Sequence, residues 1–408
     1  MKEKSPNLSR ARAAVFTVFV VSGLALASWM ARIPEVRDHL ALAPSELGRT
    51  LLLGAVGSFM ALPTAGLVVN RLGPARTVAA GAVVGGAGLA AVGFGVGPVA
   101  SVWLVMAGLF ACGYGIAVWD VAMNVEGADV ERALDRSLMP RLHAGFSLGS
   151  VAGAGLGAAA AWSGVPVAAH LWLVGTVVVA VVLVAVRFFL PRSAGTADSA
   201  SGDRARARLR DAWREPRTLL IGVLVLTFAL AEGVANEWLA VGLVDGFDVS
   251  PAVGAAGFAV FVTAMTVTRI LGGSLIDRWG RVPVLRASAV GAIVGVLLVV
   301  FGTLPVALLG VIVWGAGAAL GFPMGMSAGA DDPERAAIRV SVVSSIGYTA
   351  FLMGPPLLGW LGDRVGVHRA LLVVAVAMVV GAVVAVAARR PGEVGRRAAA
   401  ASDPGTSA

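Results

Sequence analysis

Apolar positions in this chain come in unbroken blocks, not in the alternation of a half-buried strand or the one-sided stripe of a surface helix. Runs of about 20 apolar residues, the length a helix needs to cross hydrocarbon, recur along the sequence. They lie at 12–33, 47–69, 75–96, 100–124, 139–162, 167–190, 218–243, 252–276, 284–303, 305–328, 338–361 and 368–388. The first is not a removable leader, because it is long, lacks a small-residue cleavage site and leads straight into a second span. After the sixth comes "PRSAGTADSASGDRARARLRDAWREPR" (191–217), polar and Arg-rich, the composition of a flexible linker. The pattern predicts an all-α integral membrane protein with 12 transmembrane helices. Residues 1–190 form a first six-helix bundle, 191–217 a cytoplasmic linker, 218–388 a second six-helix bundle and 389–408 a cytoplasmic tail.

Composition agrees. The 408 residues are 58% hydrophobic and 14% charged, too apolar for a soluble domain. Fifty-three glycines suit membrane helices whose backbones approach closely. A single cysteine, Cys112, excludes a disulfide framework and a cysteine-based metal site. In a soluble protein the net charge of +8 would point to nucleic acid. Here it follows topology. With both termini inside, the tails and inner loops hold 26 of the 32 basic residues, the outer side holds Arg32, Arg37, Arg49, Arg364 and Arg369, and Arg269 lies within a span. The expected setting is a bacterial inner membrane, with the lipid bilayer as partner and no nucleic acid.

The halves repeat. "GLVVNRLG" (66–73) after span two aligns with "GSLIDRWG" (273–280) after span eight, which implies two parallel halves around a central cavity. "GDRVGVHR" (362–369) looks like a third copy, but it follows span eleven on the outer side and reads as a coincidence of turn chemistry. The loop pattern is glycine, three residues, Asp-Arg, one residue, Gly-Arg. It is intact as Gly273, Asp277, Arg278, Gly280 and Arg281, and partial as Gly66, Asn70, Arg71 and Gly73. On these residues the chain resembles the major facilitator superfamily. The resemblance implies a cytoplasmic gating patch in which the glycines permit close helix packing, the acid faces a helix N-terminus and the arginines meet carboxylates or carbonyls. Asn70 lacks the charge, so the first-half latch is expected to be the weaker. The bland reading is that these charges only enforce topology.

"LASWMARIPEVRDHL" (26–40), "DVAMNVEGADVE" (120–131), "HAGFSLGSVAGAGLG" (143–157), "AEGVANEWL" (231–239) and "GYTAFLMGPPLLG" (347–359) resemble the YbjJ/MosC-type branch, itself similar to fucose-permease-type symporters. That resemblance implies a secondary transporter and leaves the substrate open. Drug antiporters of the superfamily fit less well, because Ser150 interrupts their Gly-Pro motif and span four has no arginine. The ladder Gly145, Gly149, Gly153, Gly157 is expected to pack tightly against a neighbouring helix.

Intramembrane charges are functional by default. At 1.5 Å per residue Glu232 lies roughly 20 Å into span seven and Glu237 about 27 Å. Regular helical stepping puts Asn236 on the face of Glu232 and Glu237 some 140° away. Glu232 and Asn236 then read as cavity-facing, Glu237 as a rim or inter-helix group, and Trp238 as interfacial. Asp120 lies about 6 Å above the inner end of span four. Asn124 is on its face, and His143 of span five sits at similar depth. A carboxylate beside an imidazole handles a proton near neutral pH, or else forms a structural pair that closes the inner gate. The resemblance makes Asp120 the nearest match to the proton-handling carboxylate of fucose-permease-like relatives. Arg269, about 10 Å above the inner end of span eight, either neutralises Asp120 or Glu232 or snorkels beside Asp277. Arg32 either meets substrate in an outer vestibule or pins its helix to the interface, and the pin is favoured. Trp29 stacks on a sugar ring or joins an aromatic belt.

There is no catalytic constellation, metal-ligand spacing or phosphate-cradling loop. The expectation is therefore not an enzyme, with no cofactor and a proton gradient as energy source. The reading is a monomeric secondary transporter moving a small polar solute of sugar or polyol kind with protons. The alternatives are proton-coupled efflux of a metabolite or drug and, in another class, a non-transporting membrane sensor.

Overall fold

The computed structural model describes residues 6–134, 138–191, 211–332 and 335–389. Most of the linker 191–217 and of the tail 389–408 therefore lies outside the described residues. Twelve described helices are long and apolar enough to cross a membrane: α1 (Asn7–His39), α2 (Pro44–Leu72), α3 (Pro74–Val96), α4 (Val102–Leu134), α5 (Met139–Trp162), α6 (Val167–Phe188), α7 (Pro216–Phe247), α8 (Pro251–Trp279), α9 (Arg281–Phe301), α10 (Leu304–Gly329), α11 (Ile338–Val365) and α12 (Val367–Ala388). No strand occurs among the described residues. Because crossings alternate, odd helices end, and even ones begin, on the face opposite the chain's start. That face is called distal here.

Proline opens α2, α3, α7 and α8, where its missing N–H has no intrahelical partner to lose. Four helices are interrupted, α12 by a turn at Leu371–Leu372. α1 turns at Ala31–Arg32, where Pro34 has no N–H to give the Met30 carbonyl four residues behind it. α7 contains one π turn, Ala235–Leu239. α10 breaks at Ala319–Leu320, ahead of Pro323. α4 runs to Leu134, ten residues beyond the end expected from hydropathy. The extension carries Glu126, Glu131, Arg132 and Leu134, which favour helix without being apolar enough to register as a span.

The described chain falls into two compact units. The first joins α1–α6 with 234–266, 352–371, the distal parts of α7, α8 and α11 and the start of α12. The second holds α9, α10 and the remainder of α7, α8, α11 and α12. Within the first unit the glycine ladder of α5 faces α1 as expected. A Cβ on Gly149 would run into the Val20 carbonyl, one on Gly153 into the Leu24 carbonyl, and one on Gly157 would lie 2.5 Å from Ala31 Cβ. α3 and α4 meet in the same way, since a Cβ on Gly88 would lie 2.5 and 2.6 Å from the Cys112 and Gly108 backbones. In the second unit a Cβ on Gly295 of α9 would run into the α10 backbone at Trp314 N, which leaves no room for a side chain.

Candidate functional site: a charged group at the breaks of α7 and α10

Pro323 has no N–H, so the carbonyl four residues back, that of Ala319, loses its helical partner. A freed carbonyl at this depth needs another donor. Arg269 of α8 supplies it, with Nε donating to Ala319 O at 3.1 Å. Its Nη2 donates to Glu232 Oε2 of α7 at 2.7 Å, a salt bridge with side chains 26% and 18% exposed. One guanidinium thus joins α7, α8 and α10, and all three residues belong to the second unit. Of the alternatives, pairing with Glu232 is realised and snorkelling is not. Asp277 is exposed, with no hydrogen bond or ion pair among the described residues.

Three residues beyond Glu232 the π turn begins. Each of its residues advances by less than a regular helical step. The equal stepping used to separate Glu237 from Glu232 by 140° therefore does not apply. Asn236 and Glu237 are both half-buried, and among the described residues their side chains make no hydrogen bond or ion pair. Trp238 is fully buried and its indole N–H lacks a partner among the described residues, so it is not an interfacial residue. Trp103 and Trp162, 75% and 78% exposed at distal helix ends, fit that role.

In the first unit Asp120 is exposed, and its carboxylate has no hydrogen-bond or ion-pair partner among the described residues. Asn124 shares its face, its amide donating to the Asp120 backbone carbonyl at 2.9 Å. The expected Asp120–His143 pair is not formed; the His143 ring stands edge-on to Phe19, 5.4 Å between centroids.

Arg32 requires a correction. It is neither at the interface nor in a vestibule but fully buried at the break of α1. Its guanidinium is held by Glu35 through both carboxylate oxygens, Nη2 to Oε1 at 2.9 Å, and donates to the Val165 carbonyl at 2.6 Å. His170 Nδ1 lies 3.4 Å away, placed to accept. A buried cation persists only with such partners, so Arg32 locks α1 to the α5–α6 connection. Trp29 is 7% exposed, which excludes both a belt and an open stacking surface.

The gating motif is also partly corrected. A Cβ on Gly66 or Gly273 would meet nothing within 4 Å, so neither permits close packing. Gly73 and Gly280 are needed instead for the backbone, with φ of 79° and 80° and N–H groups donating to Val69 O and Ile276 O, both at 2.8 Å. Asn70 and Arg71 are exposed at the end of α2. Arg278 lies over the Trp279 ring, 5.4 Å from its centroid. Arg281 does meet a carboxylate, Asp331 Oδ1 at 2.7 Å, and also Ser327 Oγ at 3.0 Å. Asp331 Oδ2 takes Arg217 at 2.7 Å. Beside it Glu215 receives Arg339 through two bonds, 2.8 and 2.6 Å, and the Thr218 hydroxyl at 2.8 Å. Burial pushes the Glu215 carboxyl up, but the Arg339 and Thr218 hydrogen bonds and the Arg339 and Arg335 charges outweigh it, leaving it below its ordinary value.

This acid–arginine network was missed from sequence. Its signal is a second repeat, "GADVER" (127–132) against "GADDPER" (329–335). In the first half Pro74 stands where the second has Arg281, and Asp129 pairs with Arg132 on its own helix.

The Major Facilitator Superfamily model matches residues 15–333 and again 221–406. The chain belongs to the major facilitator superfamily. Among curated members, it is 30% identical over 358 residues to the uncharacterized transporter y4wD of Sinorhizobium fredii, covering 87% of this chain and 92% of that protein. It is 27% identical to the membrane protein MosC of Rhizobium meliloti, covering 90% and 88%. Among solved structures, a mutant of the nucleoside transporter NupG superposes with a TM-score of 0.77 at 13% identity, covering 94% and 99%. The E. coli fucose:proton symporter FucP gives 0.64 at 17%, covering 92% and 98%. The family implied by the motifs is thus shown, and MosC is among the chain's relatives. The chain is a multi-pass membrane transporter of the superfamily and not an enzyme, and these likenesses leave its substrate open.

Proposed function

We propose that the protein moves a small polar organic solute of sugar or polyol kind across the bacterial inner membrane by alternating access, coupled to protons. Its termini face the cytoplasm, it acts as a monomer, and the proton gradient supplies the energy. The supporting observation is the Glu232–Arg269–Ala319 group. Protonating Glu232 removes the charge that holds Arg269 on α7 and leaves it bound only to the α10 carbonyl. An ion pair made in one state and released in another shifts an equilibrium; one made equally in both does not. Asp120, a carboxylate without a counter-charge among the described residues, is the second proton-handling group and provides polar recognition together with Asn124. The sugar-like class draws on the fucose and nucleoside transporters whose folds it resembles.

The test is external pH in lightly buffered, de-energised cells expressing the protein, with sugars, polyols and nucleosides added in turn. Alkalinisation by one solute, lost in Glu232→Gln or Asp120→Asn, is expected. Undiminished, pH-independent accumulation by the doubly substituted protein would overturn the reading.

A further inference from the structure

α9 carries one arginine on an otherwise apolar exposed face. Val290, Leu297 and Phe301 are exposed and lie within about 60° of Arg286, which is exposed as well. Arg286 stands five residues after the first residue of α9, roughly 7 Å into that helix. A guanidinium near the end of a membrane helix ordinarily reaches back toward water. This one is tethered sideways instead, its Nε donating to the Ala382 carbonyl of α12 at 3.3 Å. Ala382 lies in the last turn of the regular part of α12, where carbonyls lack intrahelical donors. The tether leaves both Nη groups, four N–H donors in one plane. Among the described residues they make no hydrogen bond or ion pair.

α12 supplies the other wall of a seam. It packs beside α9 within the second unit. Its Val379 and Val386 are exposed and lie within about 60° of Ala382. Arg286 thus heads an apolar groove at the end where α9 begins and α12 finishes, opposite the distal face. From Arg286 to Leu297 the groove runs roughly 16 Å along the helix axis. That is about half the thickness of the hydrocarbon layer, the reach of one acyl chain through one leaflet. Neither α9 nor α12 contains Asp or Glu. A cationic headgroup finds no counter-charge on these helices, whereas a phosphate meets an unused guanidinium fork. The first half has no equivalent, because the register that pairs 66–73 with 273–280 puts Ala79 where Arg286 stands.

We propose that the seam between α9 and α12 binds one acidic phospholipid, its phosphate on the Nη groups of Arg286 and an acyl chain along Val290, Leu297 and Val379. The site requires neither the solute nor the proton of the proposed function.

The test is native mass spectrometry of the full chain released from detergent, titrated with phosphatidylglycerol or phosphatidylcholine. The first phosphatidylglycerol should bind more tightly than phosphatidylcholine. Arg286→Gln keeps an N–H for the Ala382 carbonyl and should weaken that first phosphatidylglycerol by about fivefold, the worth of one arginine at an anionic lipid surface. Arg76→Gln removes an exposed arginine at the start of α3, on the same side of the membrane, and should leave the affinity unchanged. Parental affinity in Arg286→Gln would overturn the site. So would an equal loss with Arg76→Gln, which would mean diffuse attraction to the basic face. Displacement of the lipid by inorganic phosphate at equal concentration would also overturn it, since the apolar seam would then contribute nothing.

Discussion

Replacing Arg269 and Glu232, singly and together, gives a coupling energy whose size the geometry constrains. Their contact is 2.7 Å and both side chains are mostly buried, at 26% and 18% exposure. At an effective dielectric near 20, charges about 4 Å apart attract by roughly 4 kcal/mol. Desolvation of both ions offsets much of this, leaving a net coupling of about 1–3 kcal/mol. Glu232→Gln strands a guanidinium with one carbonyl, and Arg269→Gln strands a carboxylate and leaves the Ala319 carbonyl unpaired. Each single change should destabilise more than half as much as the double. The assay is unfolding of the purified protein in mixed micelles by tryptophan emission, for which the chain has ten tryptophans. Additive effects, with coupling below about 0.5 kcal/mol, would refute the claim that this pair is a stabilised element of the observed state.

Other consequences follow from packing and charge. Gly149→Ala puts a methyl into the Val20 carbonyl and should cost about 1–3 kcal/mol, read as a lowered Tm. Gly280→Ala, at φ 80° and ψ 166° in a region that essentially only glycine occupies, should cost about 1–3 kcal/mol although nothing crowds it. Gly273→Ala, in open space and in helical backbone, should be neutral or slightly stabilising on the same measurement. The Glu215 carboxyl is held below its ordinary value of 4.5, so its contribution is fully present above that value and is lost as pH falls through the lower folded value. The Tm difference between the parent and Glu215→Gln should therefore be constant above about pH 5.5 and shrink only in acid below pH 4.5.

The sequence made the spans legible because hydrophobic length is a direct demand of the bilayer. All twelve appear, and the glycine ladder of α5 faces a helix as its four-residue step required. Ends with a polar continuation were not legible, as in α4, whose last ten residues keep helical propensity after hydropathy has stopped. Arg269 was found by its depth, but its second partner was not. Reading that partner required noticing that Pro323 frees the Ala319 carbonyl, a relation between two segments far apart in the chain. A position near a helix end does not make Arg32 interfacial, because the Pro34 break folds that end inward against Glu35, Val165 and His170. The π turn has no sequence signature, and it spoiled the angular bookkeeping for Asn236 and Glu237. The acid–arginine network was hidden by its own repeat, since the first half keeps the acid and lacks the arginine.

The central claim is that Glu232 couples solute movement to protons. The most direct measurement separates exchange from accumulation in proteoliposomes, using the solute that the pH panel identifies. Exchange of labelled for unlabelled solute needs no net proton movement, whereas accumulation under an imposed pH gradient does. Glu232→Gln should retain exchange at the parent's rate and lose gradient-driven accumulation. Accumulation that survives the substitution, or exchange and accumulation lost together in a folded protein, would contradict the account.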